Sequence, residues 1–145
     1  MKSFKNIFIL TILLCTSCAT VAVKPVDETE DKISTVCIKE NPKVIVRGFT
    51  DVIEEGFARH NISTKFYAEI PSTCKYSLTY VATQKWDVTL FLSNAHIALY
   101  KKDVLIGYAD FHTIGGLDPA KWNSVHEKID PLIDQLLANV SRDKN

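Results

Sequence analysis

Four cysteines and four histidines are the side chains of this sequence best equipped for chemistry. Cys15 and Cys18 stand three positions apart near the N-terminus, while Cys37 and Cys74 lie alone in the body of the chain. Cys37 and Cys74 can pair as a disulfide, share a metal ion or act as nucleophiles, but they have no C-x-x-C spacing to support a metal site. His60, His96, His112 and His126 are scattered, with no H-E-x-x-H run to put two ligands on one helix face. They read as structural or surface histidines. His60 ends a helical pattern, where a protonated ring suits the helix dipole. No G-x-S-x-G, P-loop or G-x-G-x-x-G occurs, and "IGGLD" is too weak a glycine pair to cradle a phosphate. No catalytic residue, cofactor or metal is expected.

Which thiol chemistry applies depends on the compartment. Lys2 and Lys5 precede an apolar run from Ile7 to Leu14, small polar residues follow, and no acid occurs before Asp27. This is the order of a secretory signal. The run is about eight residues long where a stable bilayer span takes about 20, so residues 1–17 read as a segment to be removed. Leu14 is too bulky to stand ahead of a cut at Cys15, whereas Thr16 and Ser17 ahead of Cys18 are small. Cys15-Thr16-Ser17-Cys18 therefore resembles a bacterial lipobox, whose last cysteine is diacylated through its thiol and becomes the new N-terminus. That pattern prefers leucine where Cys15 stands, with Leu14 displaced by one. An ordinary signal peptide cut nearby is the alternative.

Acyl chains contribute about 0.8 kcal/mol per buried methylene, so two or three on Cys18 would hold it durably in a membrane. Ala19, not Asp, follows, which by resemblance to sorted Gram-negative lipoproteins implies the outer membrane, with the domain facing the periplasm. In that oxidising setting Cys37 and Cys74 are expected to pair.

Cleavage before Cys18 leaves 128 residues, one domain's worth, with 15 bases against 17 acids and a formal charge of −2. So weak a field argues against a nucleic-acid partner. Residues 18–32 read as the lipidated cysteine and a flexible tether, which at full extension would reach about 45 Å. Residues 33–140 form the expected domain, and 141–145 a tail.

Within that domain Ile33 to Lys39 alternates as a short strand. Asn41 and Pro42 suit a helix start, with Ile45, Phe49, Val52, Ile53, Gly56, Phe57 and His60 on one face and Asn61 as a left-handed stop. A short strand at Ser63 to Ile70 leads into longer ones. The apolar parity of "WDVTLFLSNAHIALY" switches from Val88, Leu90 and Leu92 to Ala95, Ile97 and Leu99, which a bulge at Ser93-Asn94 would repair, and "KKD" at 101–103 offers the next turn. Asp118 and Pro119 repeat the helix-start logic. Trp122, Val125, Ile129, Leu132, Ile133, Leu136, Leu137 and Val140 follow at helical spacing, in phase across Pro131, where a kink is expected. The sum is an α+β fold, β-α-β-β-β-β-α, with two helices on one face of a mostly antiparallel sheet.

Helices on one face leave the other open, so some meander aromatics must be exposed. Tyr76, Tyr80, Trp86, Tyr100 and Tyr108 form the candidate docking surface. The segments "CKYSLTY", "WDVTLFLSNAHIALY", "IGYADF", "GG" and "KWNSVHEKIDPLIDQLL" resemble a family of small, uncharacterised Gram-negative lipoproteins, the Sbal-type lipoproteins, over most of residues 33–140. Its signature positions, Cys74, Trp86, Asp87, Gly107, Lys121, Trp122 and Pro131, look structural, and the resemblance implies no activity. The expectation is an outer-membrane-anchored, non-catalytic domain that docks another envelope component. The alternative is a small-ligand binder or an enzyme with an atypical pocket.

Overall fold

The computed structural model describes residues 19–27, 32–113, 116 and 118–140. Cys18, the segment before it, part of the expected tether and the tail 141–145 lie outside them. No helix among the described residues is long and apolar enough to cross a membrane.

Among the described residues six strands make one sheet: β1 (Ala19–Lys24), β2 (Thr35–Lys39), β3 (Ser63–Tyr67), β4 (Tyr76–Asp87), β5 (Thr89–Lys101) and β6 (Val104–Thr113), in spatial order β1-β6-β5-β4-β2-β3. The sheet is mixed. β1, β6, β5 and β4 pair antiparallel, whereas β2 runs parallel to both β3 and β4. The parallel half follows from helix α1 (Phe49–Arg59), which carries the chain from β2 back over the sheet to start β3 in the same direction.

The residues read as a tether depart most from expectation. Ala19 to Lys24 pair residue for residue with Thr113 to Tyr108 as an edge strand, and Val26 beyond it is fully buried. The folded unit therefore already includes Ala19 to Lys24 and Val26, ahead of Ile33. The physical reason is visible in "ATVAVK", a small and β-branched run that fits beside β6 once that strand exists.

Helix α1 starts later than Asn41. Asn41 instead makes a turn, its Oδ1 accepting from the Lys43 N–H at 3.2 Å and its carbonyl from the Val44 N–H at 3.0 Å. The β-branched run Val44-Ile45-Val46 loses rotamer freedom in a helix, and Gly48, at φ 76°, supplies the left-handed residue that redirects the chain into α1. The buried face is as expected from Phe49 to Phe57, and Asn61 ends the helix at φ 58°. The second helical pattern divides in two. Asp118 caps a 3-10 turn, Pro119–Trp122, and α2 (Val125–Leu136) begins anew at Ser124, which forms a reciprocal capping box with Glu127. Helix α2 runs on through Pro131.

Thr83 pairs with Asn94 and Gln84 with Leu92, so Ser93 is the extra residue of the expected bulge. Lys102 and Asp103, at φ 47° and 66°, form the two-residue turn into β6. Leu78, Ile97 and Leu99 from the sheet, Val52, Ile53 and Phe57 from α1, and Ile129, Ile133 and Leu136 from α2 belong to one buried cluster, so both helices lie on one face. They cross where Gly56 meets Ile133.

Candidate functional site

Two surfaces emerge from this frame. The first is the end of the sheet where β4 turns into β5. Asp87 pairs with Thr89 across a single residue, Val88, whose φ of 63° is left-handed. A β-branched residue there costs about 1–3 kcal/mol, and Val88 is 78% exposed, so nothing in the fold repays it. Trp86 and Leu90 are directly opposed partners and therefore share a face. Trp86 is 74% and Leu90 57% exposed.

The 3-10 turn latches this tip. The buried Lys121 ammonium bonds the Asp87 carboxylate and the Gly116 carbonyl, the latter at 2.8 Å, and sits 4.5 Å from the Trp122 ring centroid. The Trp122 indole N–H donates to the Asp87 carbonyl at 2.9 Å. Behind the latch, Lys128 donates to the carbonyls of Leu92 and Lys121 and lies over the rings of Phe91 and Phe111. Burial pushes its ammonium pKa down, against the opposing charge of Glu127. Asp87, Lys121 and Trp122 thus hold structure, and Gly107 does too: a Cβ there would come within 3.0 Å of Leu136, Val26 and the Lys24 carbonyl.

The second surface is the sheet face away from the helices. Ala95, Ile97 and Leu99 enter the core, so His96 and Tyr100 point outward, as do Tyr108, Asp110 and His112 on β6. His96 Nδ1 and Asp110 Oδ1 are 2.6 Å apart, the His96 ring stacks on Tyr108 with centroids at 6.4 Å, and His112 pairs with Asn94. Both His96 and Asp110 are nearly half exposed. The other two histidines serve the helices. His60 and Arg59 reach Asp134 at 2.9 and 3.2 Å, and His126 reaches Asp130 at 3.3 Å. Burial would raise the Asp134 carboxyl pKa, but the bonds from His60 and Arg59 outweigh it and hold it below its ordinary value.

The histidines and carboxylates of the open face stand apart from two clefts of the domain. A 520 Å³ hollow lies over the Cys74 loop, and a 380 Å³ cleft opens between β1, β6, the 3-10 turn and α2, lined by Ala19, Val21, Lys121 and Lys128 among others. Asp87, His96, Asp110 and His112 line neither.

Cys37 and Cys74 form a disulfide with Cα atoms 6.3 Å apart. Of the five candidate docking aromatics, Tyr76 and Tyr80 must be withdrawn: they are 4% and 5% exposed and belong to the core. Their parity with Leu78 sends both toward the helices, where Tyr80 lies 5.9 Å from the Phe49 ring and its hydroxyl accepts from the Asn41 N–H. Tyr100 and Tyr108 lie half-buried on the open face, and Trp86 stands at the hairpin tip. Cys18 lies outside the described residues. The sequence reading missed Val88 and Leu90 as exposed groups and placed Trp122 on a helix face. What the sequence shows of them is the even-numbered apolar run Trp86, Val88, Leu90, with no residue type that marks a turn.

No family model matches the chain, and no curated protein matches it. Among solved structures, a PelC dodecamer from Paraburkholderia phytofirmans aligns with a TM-score of 0.56 at 10% identity, covering 87% of this chain and 99% of that one. A single-substitution variant of the same PelC dodecamer gives 0.57 at 9% identity over 86% and 99%. A minor lipoprotein from Acinetobacter baumannii aligns at only 0.32, with 11% identity over 76% and 89%. The first two establish a shared fold; the third carries no argument.

Proposed function

We propose that this chain is a non-catalytic binding domain of the Gram-negative envelope, anchored to the outer membrane through acylated Cys18 and docking another envelope protein through the open face of β4, β5 and β6. The observation that supports it is that face itself. It carries Tyr100, Tyr108 and the His96–Asp110 pair on the sheet face away from the helices, and neither of the two clefts named above is lined by His96 or Asp110. Acid–base or electrostatic catalysis works in water-excluding pockets, whereas protein interfaces are flat and tyrosine-rich. A photo-crosslinker replacing Tyr108 should capture a defined partner in intact cells. Alanine at Tyr100 or Tyr108 should impair the deletion-complementing phenotype while alanine at His60, His96, His112 or His126 leaves it intact. Loss of function from a single histidine in a folded variant would refute docking in favour of catalysis.

A second reading has a specific observation behind it. Among the described residues β1 and β3 are the two edge strands of the sheet, and the two PelC structures with this fold are dodecamers. A second copy of the chain is then the partner, and the mass of the folded domain in solution, measured by light scattering, separates the two.

A further inference from the structure

Four large apolar side chains, Trp86, Val88, Leu90 and Trp122, stand exposed at one end of the sheet. We infer that they form a membrane-contacting patch that seats this end of the domain in the surface of the phospholipid leaflet holding the acyl chains of Cys18. The inference rests on the lipid-anchor reading. Its carrying observation is the position of Ala19 in the sheet. Ala19, the residue after Cys18, pairs with Thr113, whose hydroxyl donates to the Leu92 carbonyl, and Ala19 lines one cleft together with Lys121, the residue that grips Asp87 at the hairpin tip. Ala19, the neighbour in sequence of the residue proposed to be acylated, and the apolar tip therefore lie at the same end of the sheet.

The chemistry of the tip fits a lipid interface. Tryptophan concentrates at that depth, its ring apolar and its N–H satisfied. Here the Trp122 N–H is already bonded to Asp87, and the Asp87 charge is already neutralised by Lys121. No unpaired charge of the latch has to be brought to the membrane. From the Ala19 row, Val88 lies about five residues further along the strands, or about 17 Å, and about two and a half strands across, or about 12 Å. A sheet leaning roughly midway between upright and flat brings both to one depth. Val88, exposed and in a backbone conformation that asparagine or glycine would fill more readily, has no role inside the fold.

Trp86 and Trp122 are the two tryptophans of the chain, so native emission reports on this end alone. The experiment uses the purified acylated full chain, reconstituted in phosphatidylethanolamine and phosphatidylglycerol vesicles with or without lipids brominated along their chains. Emission should shift to the blue and be quenched by the brominated lipid, because interfacial apolar groups sit about 5–10 Å deep. Val88→Asn suits the left-handed turn and keeps the hairpin, and should lower the quenching about twofold. If the acylated chain floats with vesicles but its emission is unshifted and unquenched, the patch is refuted and the anchor stands. If the chain carries no acyl group, the anchor reading fails and the inference falls with it. A blue shift that appears only with a second protein or with rising chain concentration, without vesicles, assigns the tip to a protein contact and overturns the proposal.

Discussion

Replacing Gly56 by alanine sets two effects of opposite sign against each other at the crossing of α1 and α2. In the interior of a helix alanine outranks glycine by about 0.8–1.0 kcal/mol. The added Cβ, however, would lie 2.8 Å from both Cδ1 and Cγ2 of Ile133 and 3.3 Å from its Cβ, where packed carbons settle at about 3.5–4.0 Å. Ile133 is fully buried, so it cannot swing away into solvent, and overpacking of this kind costs about 1–3 kcal/mol. The clash wins. Gly56→Ala should destabilise the domain by about 1 kcal/mol, a fall in Tm of about 3–6 °C for a domain of this size. Ile133→Ala removes both close methyl groups and costs about 2–5 kcal/mol by itself, but in that background Gly56→Ala should turn stabilising, by about 0.5–1 kcal/mol. Urea unfolding of the four proteins, followed by far-UV circular dichroism, closes the cycle. An equal loss in both backgrounds would show that the cost does not arise at Ile133, and the close-crossing argument would be wrong.

Other consequences are as direct. The disulfide closes a separation of 37 residues, worth about 4 kcal/mol in the chain-entropy account, so Cys37→Ala and Cys74→Ala should each lower Tm alike and the double variant no further; two free thiols in the native protein would contradict it. Tyr80→Phe forfeits the bond from Asn41 and should cost about 1 kcal/mol, while Tyr76→Phe, whose buried hydroxyl has no partner among the described residues, should be neutral or stabilising in the same unfolding assay. Asp134 has a depressed folded pKa against an ordinary value of 3.8, so its contribution is whole above that value and disappears as pH falls through the lower folded one. Asp134→Asn should flatten that acid limb and cost about 0.5–1 kcal/mol at neutral pH, the screened worth of a half-exposed pair, read from Tm against pH; an unchanged limb would remove Asp134 from the account.

Periodicity made some parts of this molecule readable. Phe49 to Phe57 announced the buried face of α1, and the parity switch between Leu92 and Ala95 announced the Ser93 bulge, because both are local patterns with a single geometric solution. β1 was illegible for the opposite reason: "ATVAVK" acquires meaning only beside Tyr108 to Thr113, far away in the chain. The start of α1 misled because Asn41-Pro42 is good helix-start chemistry that also makes a turn, and the β-branched residues after it decided between them. For the surface aromatics, alternation grouped Tyr76 and Tyr80 with Leu78 and so already separated them from solvent. The hairpin tip carried no turn signal at all, since Val88 stands where glycine or asparagine would have marked it.

The position of Ala19 also decides how the domain bears load. A pull applied at Ala19 along the axis of β1 meets bonds to β6 that run across that axis. Six residue pairs, from Ala19 with Thr113 to Lys24 with Tyr108, therefore share the force together in shear, instead of parting one after another as a peeled strand would. At the far end the chain is pinned by the Val26 N–H on the Leu136 carbonyl at 2.9 Å and by the Asn139 amide on the Val26 carbonyl at 3.3 Å. Under the proposed anchor, drag on the leaflet would pass through the sheet edge into α2, and the fold would move with it as a rigid fitting.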